Sequence, residues 1–136
     1  MGSQQLLLII VGVIILAVAF AVGITMFKDQ AAASNRDSLS NDLAYLSSKA
    51  QEFYRKPLAL GGGQKSFDGI TLLRLTTKPV NANGSFDVES APITGNPASI
   101  VIVATGVETG NDGTNKVFMA VRVWPDSTAI EQARTN

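Results

Sequence analysis

Apolar positions along this chain follow three successive patterns. From Leu6 to Phe27 they form one run, LLLIIVGVIILAVAFAVGITMF, apolar apart from Thr25 and without a charge before Lys28. At about 1.5 Å of rise per residue, a helix of that length spans the roughly 30 Å hydrocarbon core of a bilayer. From Lys28 to Lys56 there is neither Pro nor Gly, and Leu39, Leu43, Leu46, Ala50 and Phe53 recur at alternating steps of four and three. Such spacing puts them on one helix face, with Arg36, Asp37, Asp42, Lys49, Glu52 and Arg55 mostly off it. The two stretches predict one continuous helix of about 50 residues, close to 75 Å long. Pro57 ends it, because the residue before a proline is pushed out of the helical region. Gly61-Gly62-Gly63 then reads as a flexible hinge or loop.

Beyond the glycines the pattern becomes β-like. Phe67–Thr76, Ser85–Glu89, Ser99–Val107 and Lys116–Trp124 are predicted strands. In the last, Val117, Met119, Val121 and Val123 share one face by alternation. Gly110-Asn111-Asp112-Gly113 predicts a hairpin turn, and Asn81-Ala82-Asn83-Gly84 another. Thr128 and Glu131 have capping-box spacing, which predicts a helical turn in the tail. A sheet needs an apolar partner, and the stripe Leu39–Phe53 supplies one. The expected fold is therefore α+β. A long N-terminal helix (residues 1–56, with 6–27 apolar and 28–56 amphipathic) packs on a small antiparallel β-sheet head (residues 57–136).

Composition narrows the function. Eleven basic and eleven acidic residues balance, so no charge excess draws the chain to nucleic acid. The head has about 80 residues and no cysteine to staple it, so it is expected to lean on the helix for its core. The chain has no His, which removes the usual proton carrier near neutrality and the commonest nitrogen ligand for metals. No Lys or Arg precedes the apolar run, which is longer than the core of a secretory signal; it is read as a retained segment. The myristoylation pattern fails because Leu6 stands where Ser or Thr is required.

A near-terminal apolar helix that continues into an amphipathic half, followed by a small antiparallel-sheet head, resembles the plan of type IV pilins and related pilin-like filament subunits. The resemblance covers the whole chain in layout and about the first 55 residues in sequence. It implies a structural subunit of an extracellular helical filament, not an enzyme, that polymerises through its apolar helix. Such a subunit waits in the inner (cytoplasmic) membrane and is passed by the pilus assembly machinery into a filament on the cell surface. Its partners are then the membrane, that machinery and copies of itself. Small residues Gly12, Ala17, Ala19, Ala21 and Gly23 would let helices approach closely. Leu6, Leu7, Ile9, Ile10, Val13, Ile14, Leu16 and Phe20, with Phe27 at the end of the run, would fill the space between them.

The chain departs from the family in two respects. Most pilins carry a glutamate one turn into the mature chain, which neutralises a neighbour's terminal amine. Here Gln5 occupies that position if Met1 is the first residue, and Leu7 if processing removes Met1-Gly2. Docking of the terminus would then rest on Met1, Gln4 and Gln5 without a carboxylate. The mid-run proline of many bacterial pilins is also missing, leaving Gly23 and Gly12 as the weak points of the helix, at about 1 kcal/mol each relative to Ala. Two other readings share the layout: a single-pass membrane-anchored binding module, and a minor pilin-like component of a secretion or DNA-uptake apparatus.

Candidate chemistry is sparse. Carboxylates are scattered singly and propose no acid–base pair. The 110–115 loop has oxygen ligands but lacks the terminal bidentate Glu of a calcium loop. Gly61–Ser66 lacks the glycine spacing of a phosphate loop. No cofactor is expected. Asn83-Gly84-Ser85 fits an N-glycosylation sequon on a turn, making Asn83 a possible sugar site.

Overall fold

The computed structural model describes residues 2–131. A single helix, α1 (Gly2–Arg55), is followed by a 3-10 turn (Leu58–Leu60) and a one-turn helix, α2 (Leu72–Leu75). Four strands complete the chain: β1 (Gly84–Val88), β2 (Ile100–Thr109), β3 (Lys116–Val123) and β4 (Thr128–Ile130). They form an antiparallel meander in the order β1-β2-β3-β4. The fold is α+β, with a long helix whose second half lies across the sheet.

The register explains the core. Ile102 lies between Val88 on β1 and Val121 on β3, and Ala104 between Phe86 and Met119. All six are buried on the face that meets α1. From the helix side, Leu39, Leu43, Leu46, Ala50 and Phe53 enter the same cluster, each at most 6% exposed. The buried stripe reaches two turns further back than its leucines, through Asn35 and Ala32. Ser47 is also buried, and its hydroxyl donates to the Leu43 carbonyl at 2.7 Å, so it carries no unmet hydrogen bond into the core.

Polar side chains on α1 pin the sheet's loops along its length. Asn35 Nδ2 donates to the Asn83 carbonyl (2.8 Å). Asp42 Oδ2 accepts from Asn81 Nδ2 and Asn83 Nδ2 (2.9 and 2.8 Å). Gln51 Nε2 donates to the carbonyls of Trp124 and Ser127, and Arg55 to that of Pro125, which tie down the β3–β4 loop. These bonds favour one register of helix on sheet and satisfy polar groups at the joint.

Three expectations are corrected. Phe67–Thr76 is not a strand. Gly69 takes φ of +71°, Ile70 N donates back to Phe67, and Leu72–Leu75 winds into α2. Burial of Phe67, Ile70, Leu72 and Leu75 follows turn and helix spacing, with Leu73 fully out, not alternation. The tail turn predicted at Thr128–Glu131 is strand β4 instead. Glu131 reaches across to Arg122, with Nε donating at 2.8 Å, and its own N–H continues the ladder to Ala120. The side chain that would have closed a capping box is engaged by the neighbouring strand.

Nor do the three glycines form a hinge. Their segment folds back under the end of α1, where Gly63, Gln64 and Lys65 donate to the carbonyls of Phe53, Lys56 and Tyr54 (2.8, 3.0 and 2.6 Å). The last carbonyls of a helix lack internal partners, and this loop supplies them. A Cβ on Gly63 would collide with the Ser66 carbonyl and the Phe53 ring, so the close approach requires glycine.

Candidate functional site

The most unusual surface is the first half of α1. Every residue from Gly2 to Gln30 is solvent-exposed except Gly12, which is half-exposed. Nothing in the most apolar 18-residue window is buried, and the helix is long and apolar enough there to cross a membrane. Phe20 and Phe27 are 72% and 78% exposed and belong to a contiguous exposed apolar surface, the kind that marks an interaction or membrane site. Leu6, Leu7, Ile9, Ile10, Val13, Ile14 and Leu16 are exposed likewise, and so is Ala17.

Helix geometry spreads these side chains around the full circumference. Ala19 and Gly23, four residues apart, leave an open apolar groove of about 560 Å³ between Leu16, Phe20, Ile24 and Phe27. Apart from the helix's own backbone, no atom stands within 4 Å of the position a Cβ would take on Gly12 or Gly23. The helix runs through both glycines without interruption. Thr25, the one polar residue of the run, donates its hydroxyl to the Ala21 carbonyl at 2.9 Å, which hides that group from an apolar setting.

Met1 lies outside the described residues. Gln4 and Gln5 are exposed in the opening turns of α1, whose first turn carries no acidic residue. Asn83 is half-buried, and both its amide nitrogen and its carbonyl are bonded to α1, through Asp42 and Asn35. A sugar on that nitrogen would have to replace the Asp42 bond.

Charges perturbed by their neighbours are few and exposed. Lys49 and Glu52 pair at 2.8 Å on the outer face of α1. The hydrogen bond from Lys49 holds the Glu52 carboxyl below its ordinary value, and the reciprocal bond raises Lys49. An exposed pair of this kind adds little stability. Asp112, in the β2–β3 turn, accepts from Thr114 N, Asn115 N and Asn115 Nδ2 at 3.0, 2.9 and 2.6 Å. Those bonds, led by the Thr114 amide, hold its carboxyl below the usual range. Its oxygens are engaged within the turn. Among the described residues no group of three His, Cys, Asp or Glu is placed to hold a metal.

Two features were missed in reading the sequence. Asn35 ties the helix to the sheet, and the spacing that marks Leu39 would have found it, since a step of four back lands on it. The second is the cleft where the β2–β3 hairpin hangs beside the apolar run. Searches against protein families, curated proteins and solved structures give no match for this chain.

Proposed function

We propose that this chain is the structural subunit of an extracellular type IV pilus-like helical filament, joined through its apolar N-terminal helix. One observation carries the reading: residues 6–27 form an uninterrupted helix, continuous with the helix that holds the head together, and no part of the described chain buries them. A helix of this kind needs an apolar environment along its whole circumference. Lipid provides it before assembly, and a bundle of identical helices provides it afterwards.

Moving from lipid to bundle gains little from the hydrophobic effect, because lipid tails are already apolar. Close packing supplies the preference, through the groove over Ala19 and Gly23 and the bulky side chains beside it. Once the bundle stands in water, exposing the run again would cost on the order of tens of kcal/mol per subunit. That difference keeps a fibre together without covalent links. The docked half of α1 would transmit pull on the run directly into the sheet, through Leu39–Phe53 and the polar ties beside them.

Shearing cells that express the chain tests this reading. A filament subunit is recovered in long, regular fibres in the sheared fraction. Recovery only with the membrane fraction would instead favour a single-pass anchored binding module.

A further inference from the structure

The β2–β3 hairpin does not stop at the level where the head meets the helix. The first buried residue of α1 is Ala32. Yet the hairpin shares a cleft of about 500 Å³ with residues well before it, bounded by Ile24, Phe27 and Lys28 on one side and Glu108, Asn111 and Gly113 on the other. Ile24 precedes Ala32 by eight residues, or about 12 Å of helix. The tip therefore overhangs the helix by about two turns, down to the end of the apolar run.

We propose that in the membrane-inserted subunit this hairpin tip, residues 109–115, rests in the lipid headgroup layer beside Phe27, with zwitterionic phospholipid headgroups entering the cleft. The proposal rests on the reading of residues 6–27 as membrane-spanning before assembly. Residues 6–27 rise about 33 Å, which matches a hydrocarbon core of about 30 Å, and each headgroup layer adds about 5–7 Å. With Phe27 at the edge of the core, the headgroup layer covers about the next four residues of α1; of these Lys28, Asp29 and Ala31 line the cleft, and its innermost wall, Ile24 and Thr25, lies just inside the core.

The tip's composition suits that layer and no deeper one. Gly110-Asn111-Asp112-Gly113-Thr114-Asn115 contains no large apolar side chain. Its turn is closed internally, by Gly110 N to the Asn115 carbonyl at 2.7 Å and by the bonds to Asp112, so it needs no lipid partner to keep its shape. Charge selects the lipid. Lys28 and Lys116 stand against Asp29, Glu108 and Asp112, a local excess of one negative charge. Anionic headgroups gain nothing there. A zwitterionic headgroup can set its ammonium toward Glu108 and its phosphate toward Lys28.

Because the chain has no cysteine, single labels are unambiguous. Asn111→Cys, Thr114→Cys, Leu16→Cys and Leu73→Cys would each carry an environment-sensitive fluorophore, in the full chain reconstituted into phosphatidylcholine vesicles. Nitroxide quenchers are placed either on the headgroup or deep in the acyl chain. The expected result is strongest headgroup quenching at positions 111 and 114, deep quenching at 16, and neither at 73, which sits with α2 near the far end of the helix. Positions 111 and 114 behaving like 73, with 16 still quenched from the deep position, would overturn the hairpin assignment and leave the spanning segment intact. Loss of quenching at 16 as well would overturn the underlying reading too. Replacing a third of the lipid with phosphatidylglycerol is expected to leave quenching at 111 unchanged or lower, and a rise would contradict the zwitterionic assignment.

Discussion

Asn35, in the middle of α1, donates its side-chain amide to the backbone carbonyl of Asn83 at the entrance to β1, 2.8 Å away. The same carbonyl accepts from Val107 N (3.2 Å), while Asn35 Oδ1 faces Glu108 N at 3.4 Å. Val107 and Glu108 lie where β2 shifts register against β3, so their N–H groups find partners outside that ladder. Gly106 makes the contact possible, because a Cβ there would collide with Asn35 Oδ1. One amide thus joins the helix, the β1 turn and the irregular stretch of β2, just above the overhanging hairpin.

Removing that amide should be felt throughout the joint. Asn35→Ala takes the acceptor from Glu108 N and one of two donors from the half-buried Asn83 carbonyl, at an expected cost of about 1 kcal/mol. Gly106→Ala is expected to be worse, since backbone or side chain must shift to admit the new carbon. Urea unfolding of the full chain in detergent, followed by Trp124 fluorescence, measures both. An unchanged midpoint for Asn35→Ala would show that the tie carries no stability.

The two halves of α1 should respond oppositely to truncation. Leu43 is buried in the core, and Leu43→Ala is expected to lower head stability by about 2–5 kcal/mol. Ile14 is 57% exposed and lies outside the core, so Ile14→Ala should leave unfolding of the head within about 0.5 kcal/mol of the parent. The same denaturation series compares them, and a large loss for Ile14→Ala would mean that the first half is packed against the head.

Asp112 offers a pH signature. Its folded pKa lies below the ordinary 3.8, so the turn's bonds to the carboxylate are fully present above about that pH. They are lost as pH falls through the lower, folded value. Carboxyl-carbon NMR titration of the full chain in micelles should place the Asp112 midpoint under 3.8, and a midpoint at or above it would mean that Thr114 and Asn115 do not hold the charge.

Much of this arrangement was readable from spacing alone, because burial imposes a period. Leu39 to Phe53 repeat at helical steps and lie in the core, while Val117 to Val123 alternate and face it. The reading failed where local composition and tertiary partners disagree. Residues 67–76 are rich in β-formers, yet Gly69 turns the chain and α2 buries Leu72 and Leu75. Three exposed residues make up β4, so no alternation announced it; its backbone ladder to β3 and the Arg122–Glu131 pair across the strands hold it in place. The apolar run stands out by length and lack of charge. The overhang beside it depends on where a register shift in β2 aims the hairpin, which no local pattern encodes.

The most direct test of the filament reading places a charge inside the proposed bundle. Cells carrying Leu16→Lys and the parent chain would be sheared and the fibres counted by electron microscopy, with chain levels in the membrane fraction measured alongside. The expected outcome is abundant fibres from the parent and none from Leu16→Lys, at comparable membrane levels. Undiminished fibres carrying Lys at position 16 would show that the apolar helix does not form the filament's interior.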